Sequence, residues 1–294
     1  MPITAGSSPA VPLSAATAVV GVIGDPVAHS LSPLLHNTAF AELGLDWVSV
    51  GFRVAAGHAG EAITGAEALG MRGLSVTMPH KDAAAAVVER RSSLAERLGA
   101  VNCVVLGAGP SWGDSTDGPG LVAALRRGDH FDPNGRRCLV VGAGGAARAV
   151  IVGLADAGAR EVVVVNRSAD RGARAAGLAG PVGSVGVPGD ATRCDLVVNA
   201  TPLGMGANHE GGPPEWPIDP ALLVKGQCVV DLVYHPRVSP WLVAARQRGA
   251  DTSNGLGMLV HQAALQVGLW TGQDPPVESM WRAVSGPGSA QART

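Results

Sequence analysis

Apolar residues along this chain gather into short runs, separated by stretches in which they recur at helical spacing. That is the pattern of buried strands alternating with covering helices. Residues 19–23 form the first run and end at Gly24-Asp25-Pro26, a buried strand entering a loop. In the next segment Leu35, Ala39 and Leu43 keep the helical repeat up to Gly44, with N-cap chemistry at Ser32 and Pro33 suited to the first helical position. Strands follow at 47–52 and 74–78 around a helix at 61–69, and Pro79 opens a helix predicted to run to about Arg90. A helical piece at 94–99 leads into a strand over 99–105 that carries Asn102 near its start, and a further helix ends near Arg127. The alternation predicts a parallel, helix-covered sheet.

From Arg136 the pattern resets. A strand runs into glycines at Gly142, and a helix reaches about Gly158. A strand at 162–165 precedes a helix carrying Arg171 and Arg174. Strands at 195–199 and 228–231 each end in loop residues, Thr201-Pro202-Leu203-Gly204 and Tyr234-His235-Pro236. A helix at about 240–248 and a strongly apolar one at 258–270 complete the reading. With 294 residues and 46% hydrophobic content, two lobes of α/β class are expected.

Composition narrows the partners. Lys+Arg 22 against Asp+Glu 24 gives a net charge of -2, so no global field favours nucleic acid or an anionic membrane. The four cysteines are far apart and mostly in apolar runs, as reduced core residues of a cytosolic (cytoplasmic) protein would be. Residues 1–18 hold no Lys or Arg, the first being Arg53, so they lack the marks of a signal or transit peptide and read as a loose tail. Gly, Pro or charge interrupts every apolar stretch before it is long enough to span a bilayer, so a soluble chain is expected. The eight histidines are dispersed, with no ligand spacing among themselves or with cysteines, and no metal site is expected.

The candidate chemistry begins at Val141-Gly142-Ala143-Gly144-Gly145-Ala146-Ala147-Arg148, a strand turning sharply into a helix. Glycines there tolerate positive φ and let N–H groups approach a pyrophosphate, while the helix N-terminus adds partial positive charge. The next strand ends in Asn166-Arg167, where an acidic residue would bind a ribose 2′-hydroxyl. Arginine there argues for a 2′-phosphate, hence NADP. Ser30 and Ser32 stand at a helix start, either as an anion site or, for Ser32, simply as the cap. Lys81 falls in the first turn of its helix, where the dipole disfavours an ammonium. Asp117-Gly118 reads as a turn or cap unless a partner gives it another role. Gln262 and Gln266 lie on the apolar helix at 258–270. Either could face solvent, but a buried glutamine needs a hydrogen-bonding partner.

Taken in order, seven segments resemble the shikimate dehydrogenase family. They are Ser30-Leu31-Ser32-Pro33-Leu34-Leu35-His36, Val76-Thr77-Met78-Pro79-His80-Lys81, Gly99-Ala100-Val101-Asn102, Ser115-Thr116-Asp117-Gly118, the glycine loop from Gly142 to Arg148, Asn199-Ala200-Thr201-Pro202-Leu203-Gly204-Met205, and Gly257-Met258-Leu259-Val260-His261-Gln262-Ala263-Ala264. The match runs from about Val19 to Trp281. The resemblance implies a reversible, NADPH-dependent reduction of 3-dehydroshikimate to shikimate in aromatic amino-acid (chorismate) biosynthesis. It implies two α/β domains with a cleft between them. One, for substrate and catalysis, covers 19–120 and is completed by the C-terminal helices over 257–284; the other is a Rossmann-type NADP-binding domain over 121–256. Lys81 and Asp117 become the catalytic pair, the lysine supplying a proton to the oxygen that gains charge as hydride reaches the carbonyl carbon. Ser30 and Ser32 bind the substrate carboxylate with Tyr234 as a further contact, and Thr77, Asn102 and Gln262 hold hydroxyls. On the cofactor side the family pattern points to Gly142, Ala143, Gly144, Gly145 and Ala146, to Asn166, Arg167 and Arg171, and to Thr201, Leu232 and Gly255.

The chain departs from that pattern at three places, one of them Ser92-Ser93, where an acidic residue often precedes Gly-Ala-Val-Asn. Ser75 and Ser115 stand where the family usually has asparagine, and their shorter side chains reach less far toward ring hydroxyls. Quinate or an amino-substituted shikimate is the alternative substrate they leave open, and a catalytically silent NADP-binding regulator is the alternative from another class. A monomer and a homodimer are equally compatible with the sequence.

Overall fold

Two six-stranded sheets carry the chain, one from the amino-terminal segment and one beginning at Arg137. The computed structural model describes residues 13–205 and 215–286, so most of the expected amino-terminal tail lies outside the described residues. The first sheet and its helices comprise β1 (Ala18–Gly24), α1 (Ser32–Glu42), β2 (Trp47–Arg53), α2 (Ala59–Ala68), β3 (Gly73–Val76), α3 (Lys81–Val87), β4 (Arg90–Arg91), α4 (Ser93–Leu98), β5 (Cys103–Val105), β6 (Trp112–Asp114) and α5 (Asp117–Arg127). The strand order is β2-β1-β3-β5-β6-β4.

The expected parallel sheet holds for β2, β1 and β3 and then fails, because β5 is antiparallel to both β3 and β6. Residues 106–111, the link from β5 to β6, are too few for a crossover and can only make a hairpin. Three local expectations are also corrected. Leu31, not Ser32, is the N-cap of α1, and no side chain caps that helix. The helix expected from Pro79 to Arg90 spans only Lys81–Val87, since Arg90–Arg91 pair with Trp112 and Gly113. The strand expected over 99–105 begins at Cys103, leaving Asn102 just before it.

The second sheet contains β7 (Arg137–Val141), α6 (Gly145–Asp156), β8 (Glu161–Val165), α7 (Ala169–Gly177), β9 (Gly183–Val185), β10 (Leu196–Asn199), β11 (Cys228–Asp231), α8 (Pro240–Gln247) and β12 (Asp251–Asn254), followed by α9 (Leu256–Thr271) and α10 (Val277–Ser285). All its pairs are parallel, in the order β12-β11-β10-β7-β8-β9. Runs such as Cys138 to Val141 and Val162 to Val164 are buried, as strands covered on both faces require. The edge strands β9 and β12 escaped the sequence reading: Asp251-Thr252-Ser253-Asn254 has no apolar pattern and is held by main-chain pairing to β11.

The last two helices leave the second sheet and return to the first. Val260, Ala263, Val267, Trp270, Met280 and Val284 pack with Leu35, Ala39 and Phe40 of α1 in one buried cluster. A smaller cluster of Leu98, Ala100, Ala149 and Val152 joins α4 to α6, flanked by an Arg97–Asp156 ion pair at 2.9 Å. All four cysteines are free and buried, and no described helix is long and apolar enough to cross a membrane.

Candidate active site

The register of the first sheet gathers four chain segments at one edge. Gly24 and Val76 are the last residues of parallel neighbours β1 and β3, and the stretches that follow lead to Ser30 and Ser32 and to Thr77 and Lys81. Because β5 runs backwards, its start lies at this same edge, with Cys103 paired to both Ser75 and Asp114. Asn102 therefore meets Thr116 and Asp117, which follow β6. An all-parallel sheet would have sent Asn102 to the opposite edge.

Lys81 opens α3 and Asp117 opens α5. Lys81 Nζ donates to Asp117 Oδ2 at 2.6 Å, with side chains only 17% and 7% exposed. The pairing answers the unfavourable placement of an ammonium at a helix start. Asn102 Nδ2 donates to Asp117 Oδ1 at 2.8 Å and lies 3.3 Å from Gln262 Oε1. Asn102 Oδ1 accepts the Thr116 N–H at 2.7 Å. Thr116, for which the motif alone suggested no role, thus fixes the amide, and both oxygens of Asp117 are engaged. Gln262 is buried and donates to the Leu259 carbonyl at 2.9 Å. Its Oε1 keeps a free lone pair for a hydroxyl.

Thr77 sits four residues before Lys81, its carbonyl accepting the His80 N–H at 3.0 Å. Ser30 Oγ accepts the Ser32 N–H at 3.3 Å, leaving its O–H to donate elsewhere. Tyr234, from the loop after β11, packs into the cluster that holds Leu31 and Leu35, so the second lobe brings it to the start of α1. Burial pushes its phenol up. No hydrogen bond joins Ser30, Ser32, Thr77 or Tyr234 to the Lys81–Asp117 pair. Ser75 and Ser115 are both buried. His80 is a structural residue, its Nε2 hydrogen-bonded to the Val54 carbonyl at 2.7 Å.

In the second lobe β7 pairs with β8 on one side and β10 on the other, so chain connections diverge above its carboxyl end and leave a crevice. The glycine loop occupies that point. Gly142 has φ +119, a conformation other residues rarely adopt, and a Cβ there would also press on the Ala200 carbonyl at 3.1 Å. α6 follows with its first N–H groups lacking intrahelical partners. Asn166 Nδ2 donates to the Ser168 carbonyl at 2.9 Å, shaping the turn after β8. The exposed guanidinium groups of Arg167, Arg171 and Arg174 form no hydrogen bond or ion pair among the described residues. Unpaired cations after the strand next to a glycine loop at a helix start fit a dinucleotide with a further phosphate.

Thr201, Leu232 and Gly255 lie along the same carboxyl edge, and Gly255 packs against the main chain of Leu232. A network unmarked in the sequence fixes these loops. Buried Asp231 accepts from Ser239 Oγ at 2.5 Å, from Asn199 Nδ2 at 2.9 Å and from the Val233 N–H at 3.1 Å. Thr201 Oγ1 donates to Asn199 Oδ1 at 2.6 Å. Burial pushes the Asp231 carboxyl up against these hydrogen bonds.

The two halves meet directly. A Cβ placed on Gly145 would lie 3.4 Å from Lys81 Cδ, so the lysine stem passes over the start of α6. Arg148 of α6 pairs with Asp82, next to Lys81, and donates from Nη1 to the Leu98 carbonyl at 3.1 Å.

Comparison with known proteins adds the following. Residues 22–104 match the shikimate dehydrogenase substrate binding domain, 124–187 the shikimate/quinate 5-dehydrogenase family, and 255–284 the shikimate 5′-dehydrogenase C-terminal domain. The chain is 45% identical over 292 residues to a shikimate dehydrogenase (NADP(+)) of Methanopyrus kandleri, covering 94% of this chain and 98% of that one. It is 44% identical over 280 residues to the enzyme of the same name from Citrifermentans bemidjiense, covering 92% and 95%. A crystal structure of shikimate 5-dehydrogenase from Thermus thermophilus in complex with NADP(H) and shikimate superposes with a TM-score of 0.83 at 35% identity, covering 90% and 98%.

Proposed function

The chain belongs to the shikimate dehydrogenase family, and on that premise we propose that Lys81 and Asp117 handle the proton in a reversible, NADP-dependent reduction of 3-dehydroshikimate to shikimate. It is an oxidoreductase, its cofactor is NADP, and its reaction belongs to aromatic amino-acid biosynthesis. The observation that carries the site assignment is the Lys81–Asp117 contact of 2.6 Å against Gly145, where the two lobes face each other.

When bound, NADPH supplies the hydride that adds to the ketone carbon. As the carbonyl oxygen gains charge, the Lys81 ammonium releases one proton to it, so C=O becomes CH–OH; in the reverse direction the neutral amine takes that proton back. Asp117 orients the lysine through Oδ2 while Asn102 holds Oδ1. Gln262 and Thr77 receive ring hydroxyls, and Ser30, Ser32 and Tyr234 receive the carboxylate. The start of α6, with Gly142 to Ala146, takes the pyrophosphate, and Arg167 with Arg171 and Asn166 takes the 2′-phosphate. Thr201, Leu232 and Gly255 flank the nicotinamide end. The domains we propose are 19–120 with 257–284, and 121–256; the packing of α9 and α10 on α1 supports the return of 257–284 to the first.

The test is Lys81→Met with shikimate, quinate and both nicotinamide cofactors. Turnover is expected to fall by at least about a thousandfold while shikimate and NADPH still bind by calorimetry. Wild-type turnover in that variant would remove Lys81 from the reaction. Absence of turnover on every hydroxy acid by the unaltered protein would leave a silent cofactor-binding regulator.

A further inference from the structure

His36 on α1 and Gln266 on α9 are both 0% exposed, and the reaction described above uses neither. Their hydrogen bonds have a direction that can be worked out. Gln266 Nε2 donates to the main-chain carbonyl of Asn102 at 3.0 Å, an atom that only accepts. That fixes the amide, so Gln266 Oε1 is the acceptor facing His36 Nε2 at 3.2 Å. The imidazole must then carry its proton on Nε2, and its bare Nδ1 accepts from the Ser49 hydroxyl at 3.0 Å. Burial pushes His36 down to about 3, which keeps the ring in this neutral form. Trp270 packs edge-on to the ring at 4.9 Å between centroids and anchors itself to the Val104 carbonyl at 3.0 Å.

At its other end this chain of bonds reaches the site. Gln262 and Gln266 are one helical turn apart on α9 and hold Asn102 twice, Gln262 at the side-chain amide and Gln266 at the carbonyl. Asn102 in turn holds Asp117. A core position needing only volume would be filled by an apolar side chain; here a donor of fixed polarity is maintained in full burial. Without it, Gln266 is free to rotate and present an oxygen to the Asn102 carbonyl, which would repel it.

We propose that His36, acting through Gln266, is a positioning residue that sets the placement of Asn102 and Asp117, and so the affinity for the hydroxy-acid substrate, without touching any ligand. The inference rests on the reading of Asn102 and Asp117 given above.

The experiment compares His36→Phe, His36→Gln, Phe40→Leu and Asn102→Ala in the full-length protein, measuring KM for shikimate, KM for NADP, kcat and thermal midpoint. Removing the donor is expected to raise KM for shikimate about tenfold in His36→Phe. KM for NADP should stay within about twofold, because the cofactor lobe is untouched. His36→Gln places an amide N–H near the imidazole Nε2–H and is expected to bring KM back to within about threefold of the original. Phe40→Leu, in the same apolar cluster, should lower the midpoint and leave both KM values unchanged. If His36→Phe does not fold, Gln266→Met removes the donor to Asn102 while keeping the ring, and the same rise is expected. An unchanged shikimate KM in the folded variant, or an equal rise in Phe40→Leu, overturns the proposal. An unchanged KM in Asn102→Ala overturns the site reading itself; a raised KM there beside an unchanged one in His36→Phe overturns only the role of His36.

Discussion

Replacing Gly118 by alanine should damage both stability and turnover through one contact. Gly118 is the second residue of α5, directly after Asp117, and it crosses α6 main chain against main chain. A Cβ there would fall 2.3 Å from the Ala149 carbonyl oxygen and 3.3 Å from Gly153 Cα, and neither can rotate away. About 1 Å of helix separation is needed to restore ordinary contact. Forcing it costs about 1–3 kcal/mol, against a gain of up to about 1 kcal/mol from the higher helix propensity of alanine. A net loss of about 1–2 kcal/mol is expected, a fall of a few degrees in thermal midpoint. The larger effect is on catalysis, because α5 begins with Asp117 and α6 begins at the glycine loop, to which the proposed function gives the proton and the pyrophosphate. Displacing the reacting groups by about 1 Å is expected to lower kcat about a hundredfold. Steady-state kinetics with both substrates saturating, beside a thermal melt, measures both effects. Gly65→Ala in α2 is the control: a Cβ there meets nothing within 4 Å, so it should leave kcat unchanged and slightly raise the midpoint. A Gly118→Ala protein as stable as the original, with kcat within twofold, would refute the reasoning.

Two further outcomes can be measured. His36 is lowered from 6.5 to about 3 on folding, so between those values the unfolded chain binds the extra proton and stability falls as pH falls. The slope from this one group is about 1.4 kcal/mol per pH unit between pH 6 and 4. His261, also lowered by burial, adds in the same direction, whereas Asp231, raised by burial, opposes it from 3.8 upward. Denaturant titrations of the original protein and His36→Phe isolate the histidine, since the variant should lose this slope; parallel pH dependences would exclude the buried neutral ring. Arg167→Ser should raise KM for NADPH about tenfold to a hundredfold and change KM for NADH little, because it removes a cation from the 2′-phosphate alone. Equal losses with the two cofactors would move Arg167 elsewhere on the nucleotide.

The sequence by itself determined the features that depend on neighbours along the chain. Runs such as Val162 to Val165, the positive-φ requirement at Gly142, and Arg167 at a strand end are local, and so were the α/β class, the glycine loop and the preference for NADP. Family resemblance extended this to Lys81 and Asp117 as a pair. Only the tertiary structure decided how the segments meet. The hairpin between β5 and β6 reverses β5 and delivers Asn102 to Asp117, while the strand pattern alone suggested a parallel sheet. Ser32 has the chemistry of a cap, yet the turn beginning at Leu31 leaves it inside the helix. Gln266 and His36, at opposite ends of the sequence, become partners because α9 crosses back onto α1. Period and capping are written within one turn or one strand, but register and side-chain direction across a separation of 230 positions are set by how sheets and helices pack, which no local pattern records.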